Sequence, residues 1–294
     1  MKLLRGPLML IISFFIVGIS FIYYVDVYEV EHYVLMDWVL SEYKKPVSLE
    51  ELNKISDEEK ARRRKYFEET NKECYTKEPN RYEIEVLDEY KDIYAENEHL
   101  IGWLKIDGTK IDDPVMFTPW YQDYYLNRNM QGKKHVSGTL FISQNAVFYP
   151  ENCNLIIHGH NMANQTRFGS LKRYRHKSYY DTHKIIHFDT LTEKADYIVV
   201  AAFYARVLYV NEEGFRYYRQ DFFDNVQEFE EFEKNIREMS FYDTGVDIEY
   251  GDSFITLSTC SYHTESGRFV VVAKKLSEEE RKEYVDDETL SEKK

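Results

Sequence analysis

Ser253-Phe254-Ile255-Thr256-Leu257-Ser258-Thr259-Cys260, then Ser261 to Gly267, then Arg268-Phe269-Val270-Val271-Val272-Ala273-Lys274-Lys275: two runs rich in β-branched and aromatic residues flank a short Ser/Thr/Gly segment, the pattern of two strands joined by a turn. Side chains alternate across a strand, so Thr256, Ser258 and Cys260 share one face, and Ile255, Leu257 and Thr259 share the other. The return of the chain places Arg268 close to Cys260 across the hairpin.

Working outward, the same short, strand-like runs recur at Trp103–Ile106, Pro114–Phe117, Gly138–Ser143, Asn154–His158, Ile185–Asp189 and Tyr197–Arg206, separated by Gly, Asn and Asp turns. About eight short strands of this kind predict a closed or nearly closed barrel rather than a doubly wound parallel sheet. Phe229, Phe232, Ile236 and Met239 fall at helical spacing and predict an amphipathic helix inserted before the Cys260 strand. Ile84, Leu87, Tyr90, Ile93 and Tyr94 predict another, packed against the domain that follows. The fold class is therefore mainly β (α+β): a barrel with N-terminal helices and one inserted helix.

The ends differ from this domain. Lys2 and Arg5 precede an uncharged run from Gly6 to Val25, and Asp26, Glu29, Glu31 and Asp37 follow. At about 1.5 Å per residue that run spans roughly the 30 Å hydrocarbon core, and the basic residues on its N-terminal side place the N-terminus in the cytoplasm. A cleaved signal peptide fits less well, because Phe21 to Tyr28 offers bulky residues and no small-x-small site. The expected organisation is a single-pass anchor over 1–25, a charged helical stalk over 26–82, the barrel domain with its N-terminal packing helix over 83–276 and a charged, frayed tail over 277–294. The net charge of -14 argues against a broad nucleic-acid-binding face and points to peptides, glycans or proteins as partners.

Cys74, Cys153 and Cys260 cannot all pair within one chain, so at least one thiol is free. A cation beside Cys260 matters chemically, because it favours the thiolate, and arginine stays charged and can bind a developing oxyanion. Leu155-Ile156-Ile157-His158-Gly159-His160-Asn161 is an apolar strand running into a polar loop, which presents His160 at a strand end. An imidazole there can deliver a proton to a leaving amine if the two strand ends adjoin. His158 and His160 could instead form a metal pair, but no third ligand lies at suitable spacing, and no metal or cofactor is expected. Each residue also has a structural reading: Cys260 as a buried thiol, Arg268 as a surface cation, His158 or His263 as a rival base.

Together these motifs resemble the sortase family, and within it the class B sortases. Thr256-Leu257-Ser258-Thr259-Cys260 with Arg268, and Gly159-His160 after an apolar strand, match the family's nucleophile, arginine and base motifs. The similarity runs from about Ile101 to Lys275, and Tyr217-Tyr218-Arg219-Gln220-Asp221-Phe222 before the inserted helix is the class B feature. The resemblance implies a sortase barrel and a cysteine transpeptidase at the outer face of a Gram-positive membrane. Cys260 would attack after Thr in a C-terminal sorting signal, His160 would protonate the departing amine, and Arg268 would hold the oxyanion or signal backbone. A peptidoglycan-precursor amine, or a pilin Lys, would resolve the thioacyl intermediate. Ser258, Thr259 and Tyr217 are the substrate-binding candidates. A surface cysteine protease using water, or a non-enzymatic tethered protein with an inert thiol, are the competing readings.

Overall fold

The computed structural model describes residues 85–118, 123–143, 146, 154–209 and 212–291, with side chains as far as 284. The expected anchor and stalk, together with Cys74 and Cys153, lie outside the described residues. Among the described residues no helix is long and apolar enough to cross a membrane.

The chain folds as helix α1 (Asp88–Glu96), strands β1 (Leu100–Lys105), β2 (Asp112–Met116), β3 (Leu140–Ile142) and β4 (Asn154–His158), a short helix α2 (Lys177–Tyr180), β5 (Ile185–Thr190), β6 (Asp196–Arg206), α3 (Val226–Met239), β7 (Phe254–Cys260), β8 (Gly267–Lys275) and α4 (Glu278–Ser291). The strands form a closed barrel in the order β1-β2-β3-β4-β7-β8-β6-β5. Closure leaves no free sheet edge for chains to pair through. The eight strand-like runs of the sequence are these eight strands, with ends displaced by at most three residues.

Alternation assigns the two faces. Leu104, Val115, Leu140, Ile157, Leu257 and Val271 fill the barrel. Phe254, Val270, Val272, Ile198 and Val200 point outward and are covered by Phe229, Phe232 and Ile236 of α3. A register shift between Val199 and Ala201 in β6 breaks strict alternation, so Val199 and Ala202 both face the interior. Helix α3 begins at Asn225, whose side chain accepts from the Glu228 amide. Helix α1 packs on the β1–β5 side: Tyr90 stacks on Trp103 and its hydroxyl donates to Asp189 Oδ2 at 2.7 Å.

The C-terminal segment corrects the expectation of a frayed tail, since Glu278–Ser291 is helical. Its start is a reciprocal cap: the Glu280 amide donates to Ser277 Oγ at 3.2 Å, and the Ser277 amide donates to Glu280 Oε2 at 2.8 Å. Lys274 on β8 pairs with Glu280, and Arg281 reaches the buried Asp196, so charges of the tail tie the helix to the barrel.

Candidate active site

The site is built where β4 and β7 end side by side. These two strands pair in parallel, with His158 opposite Ser258. Past that pair three hydrogen bonds continue the junction. The Gly159 amide donates to Ser258 O (3.2 Å), the Thr259 hydroxyl to Gly159 O (2.7 Å) and the Asn161 side-chain amide to Cys260 O (2.9 Å). The residues before and after His160 are thus both fixed to the strand end that carries Cys260. Gly159 has to be glycine, because a Cβ there would collide with Leu140 and Phe168.

His160 is held by more than its backbone. Its Nε2 lies 2.8 Å from Leu126 O. A carbonyl only accepts, so this nitrogen carries the proton and Nδ1 is the ring atom able to take one up. Burial and the Arg167 charge lower the His160 pKa, the Leu126 contact opposes them, and the net direction is down, toward the neutral imidazole near neutral pH.

Cys260 is partly exposed and is the one free cysteine among the described residues. Arg268 faces it across the β7–β8 ladder. Its guanidinium donates to Gly267 O at 3.0 Å, and its charge is felt on the same face, where, beside the larger effect of burial, it adds to the lowering of the His158 pKa and opposes the rise of the Tyr217 pKa. His158 is pushed down to about 4, chiefly by burial, and its ring sits 5.4 Å from Phe141. It is a neutral wall of the site at physiological pH. His263 stacks on Tyr204 at 4.3 Å, and Tyr204 packs against the barrel-filling cluster, away from the face of Ser258 and Cys260.

Of the three substrate-binding candidates, Ser258 and Tyr217 form a buried floor, and Thr259 lies on the other face of β7. Ser258 and Tyr217 are each 1% exposed and their hydroxyls hydrogen-bond each other at 2.8 Å. Burial pushes the Tyr217 phenol up to about 12. Thr259 is 2% exposed, with its hydroxyl committed to Gly159 O. Sequence reasoning missed Asn161 and the Leu126 carbonyl. Asn161 was visible as the polar residue following His160, whereas a backbone acceptor 34 residues away leaves no side-chain signal. No group of three or more His, Cys, Asp or Glu side chains suited to a metal occurs among the described residues.

Comparison with known proteins agrees with this geometry. The family model for the sortase domain matches residues 104–276. The chain belongs to the sortase family. Sortase B of Listeria monocytogenes serovar 1/2a is 30% identical over 207 residues, covering 69% of this chain and 81% of the relative. Sortase B of Staphylococcus aureus is 29% identical over 197 residues, covering 66% and 78%. Among solved structures, the Staphylococcus aureus sortase B–substrate complex aligns with a TM-score of 0.58 at 26% identity, over 76% of this chain and all (100%) of that one. Bacillus anthracis sortase B in complex with AAEK2 aligns with a TM-score of 0.57 at 30% identity, over 68% and 86%. This sortase is accordingly of class B, a cysteine transpeptidase of the kind that anchors surface proteins.

Proposed function

We propose that Cys260 is the nucleophile, His160 the proton-transfer group and Arg268 the electrostatic stabiliser of a transpeptidation at the outer face of a cell membrane. The observation that carries this reading is the tie of Gly159 and Asn161 to the Cys260 strand end, which brings the imidazole segment to the thiol. In the first half-reaction Nδ1 of the neutral His160 takes up the Cys260 thiol proton, and the resulting thiolate attacks the carbonyl carbon after Thr in a sorting signal. The carbon–nitrogen bond breaks as protonated His160 gives its proton to the departing amine, leaving a thioester. In the second half an acceptor amine attacks that thioester and loses a proton to His160, and the sulfur leaves again as thiolate, so atoms and charge balance. Arg268 holds the oxyanion of both tetrahedral intermediates.

Solved sortase B structures include the Staphylococcus aureus enzyme with a substrate and a sortase B complexed with triglycine, which supports a sorting signal as donor and an amine as acceptor here. The acceptor proposed for this chain is the amine of a peptidoglycan precursor. The uncharged run from Gly6 to Val25, with Lys2 and Arg5 before it, supports a membrane anchor with the catalytic domain outside.

The test incubates the protein and its Cys260→Ala variant with fluorogenic peptides carrying candidate sorting signals, with and without an oligoglycine or diaminopimelate-type amine. Cys260-dependent formation of an amine-joined product supports the proposal. Acid product alone, at saturating amine, makes the protein a protease, and equal activity in Cys260→Ala removes the nucleophile assignment.

A further inference from the structure

Asp113 on β2 and Arg167 in the loop after His160 form an ion pair that the chemistry above does not use. Both side chains are mostly buried, at 9% and 19% exposure, and Asp113 Oδ2 is buried without a partner. Burial raises the Asp113 pKa, with Asp112 adding to it, and outweighs the pull of Arg167 in the opposite direction. A pair whose desolvation exceeds its attraction is a poor stabilising device. The backbone adds to the cost, since Arg167 has φ +49°, a left-handed conformation uncommon for a side chain of this size. Such a residue persists where its surroundings over-determine it, and the place where it sits explains what is gained.

Arg167 reaches His160 by two routes. Along the backbone it bridges to Asn161, and the next residue, Phe168, donates its amide to His160 O at 3.0 Å. Through its side chain Nε donates to Gly138 O at 3.0 Å. Gly138 (φ +54°) lies directly on the carbonyls of Tyr125 and Leu126, with no room for a Cβ, and the neighbouring Thr139 amide donates to Tyr125 O at 2.9 Å. Leu126 O is the acceptor for His160 Nε2. We propose that Arg167, clamped by Asp113, is a positioning residue for His160: it fixes both the loop that carries the imidazole and the carbonyl shelf that sets its tautomer and aim. Arg167 is also the ionisable side chain whose charge bears on His160. The inference rests on the assignment of His160 as proton-transfer group.

The test uses the full-length protein and two readouts: the NMR titration of the His160 ring, assigned by its loss in His160→Ala, and the pH profile of kcat/KM. Replacing the pair by apolar residues, Asp113→Leu with Arg167→Met, removes both charges without stranding one in the interior. The expected result is a His160 titration midpoint moved upward and a loss of kcat/KM on the order of 10- to 100-fold, the scale of a small misplacement of a reacting group. Arg167→Lys keeps the charge but cannot donate through Nε as arginine does. Its midpoint stays near the wild-type value while kcat/KM falls. A folded double variant with unchanged midpoint and unchanged kcat/KM overturns the inference. If the double variant does not fold, Arg167→Lys decides, and wild-type kcat/KM overturns it. A shifted midpoint in an enzyme that stays active as His160→Ala refutes the role of His160 instead.

Discussion

Replacing Tyr217 by Phe removes one oxygen and tests whether the floor of the site is a coupled unit. In the folded protein the Tyr217 hydroxyl is the partner of Ser258 Oγ at 2.8 Å, and both residues are 1% exposed. The variant leaves the Ser258 hydroxyl buried without that partner, a desolvation cost of about 1–3 kcal/mol. Ser258→Ala strands the Tyr217 hydroxyl by the same reasoning, at a comparable cost. The double variant leaves neither, and its stability should lie within about 1 kcal/mol of wild type, because removing both partners of a buried hydrogen bond can be nearly neutral. For a domain of this size each kcal/mol corresponds to roughly 2–4 °C in Tm, so thermal unfolding resolves all four corners of the cycle. Two single-variant losses that simply add in the double variant would refute the argument, since they would mean that the hydroxyls act independently.

Further outcomes follow from other contacts. Gly159→Ala forces a methyl group into Leu140 and Phe168; we expect a loss of about 1–3 kcal/mol in urea unfolding, and reduced transpeptidation even where the variant is folded. Asp221 is 7% exposed, has one buried oxygen without a partner, and its pKa is pushed up from 3.8 to about 7 by burial. A raised carboxyl pKa means that stability is present below the unfolded value and declines as pH rises through the folded one, so Asp221→Asn should gain stability at pH 8, on the order of 4 kcal/mol as an upper bound, and little at pH 4. Equal gains at both pH values would contradict this origin. His187 is raised by its hydrogen bond to Asp196, 2.6 Å away. Its contribution is complete below about pH 6.5 and fades as pH climbs past the raised value, and the slope should vanish in His187→Gln when Tm is followed across that window.

The barrel was legible because its strands carry local signals. Asn154–His158 and Phe254–Cys260 are bounded by turn residues and rich in Ile, Leu and Thr, and the faces of β7 followed from alternation alone. Adjacency was the missing quantity. Nothing local says that β4 lies beside β7, so the approach of His160 to Cys260 stood as a condition until the parallel ladder met it. Burial is likewise set by the fold and not by local sequence. Ser258, Thr259 and Tyr217 carry hydroxyls suited to a substrate, but the hydroxyls meet each other or a backbone carbonyl. The Asp113–Arg167 pair joins residues 54 positions apart and has no pattern that a single sequence displays. The C-terminal helix was a different failure, since Ser277-Glu278-Glu279-Glu280 spells a helix cap and was outweighed by charge density.

The parallel pairing of β4 with β7 also bears on how the enzyme comes into being. The contacts that set Asn161 against Cys260 and Thr259 against Gly159 close loops of 99 and 100 residues. Such contacts form late, because their entropic cost precedes their reward. Until the last strands arrive, β4 presents an apolar edge with no neighbour on that side, the kind of edge through which incomplete chains associate. The β4–β7 junction is therefore a late contact of the barrel: the segment that carries His160 meets the strand end that carries Cys260 only when these distant parts of the chain pair, so a truncated chain lacking β7 would hold one of the two proposed reactive groups without the other.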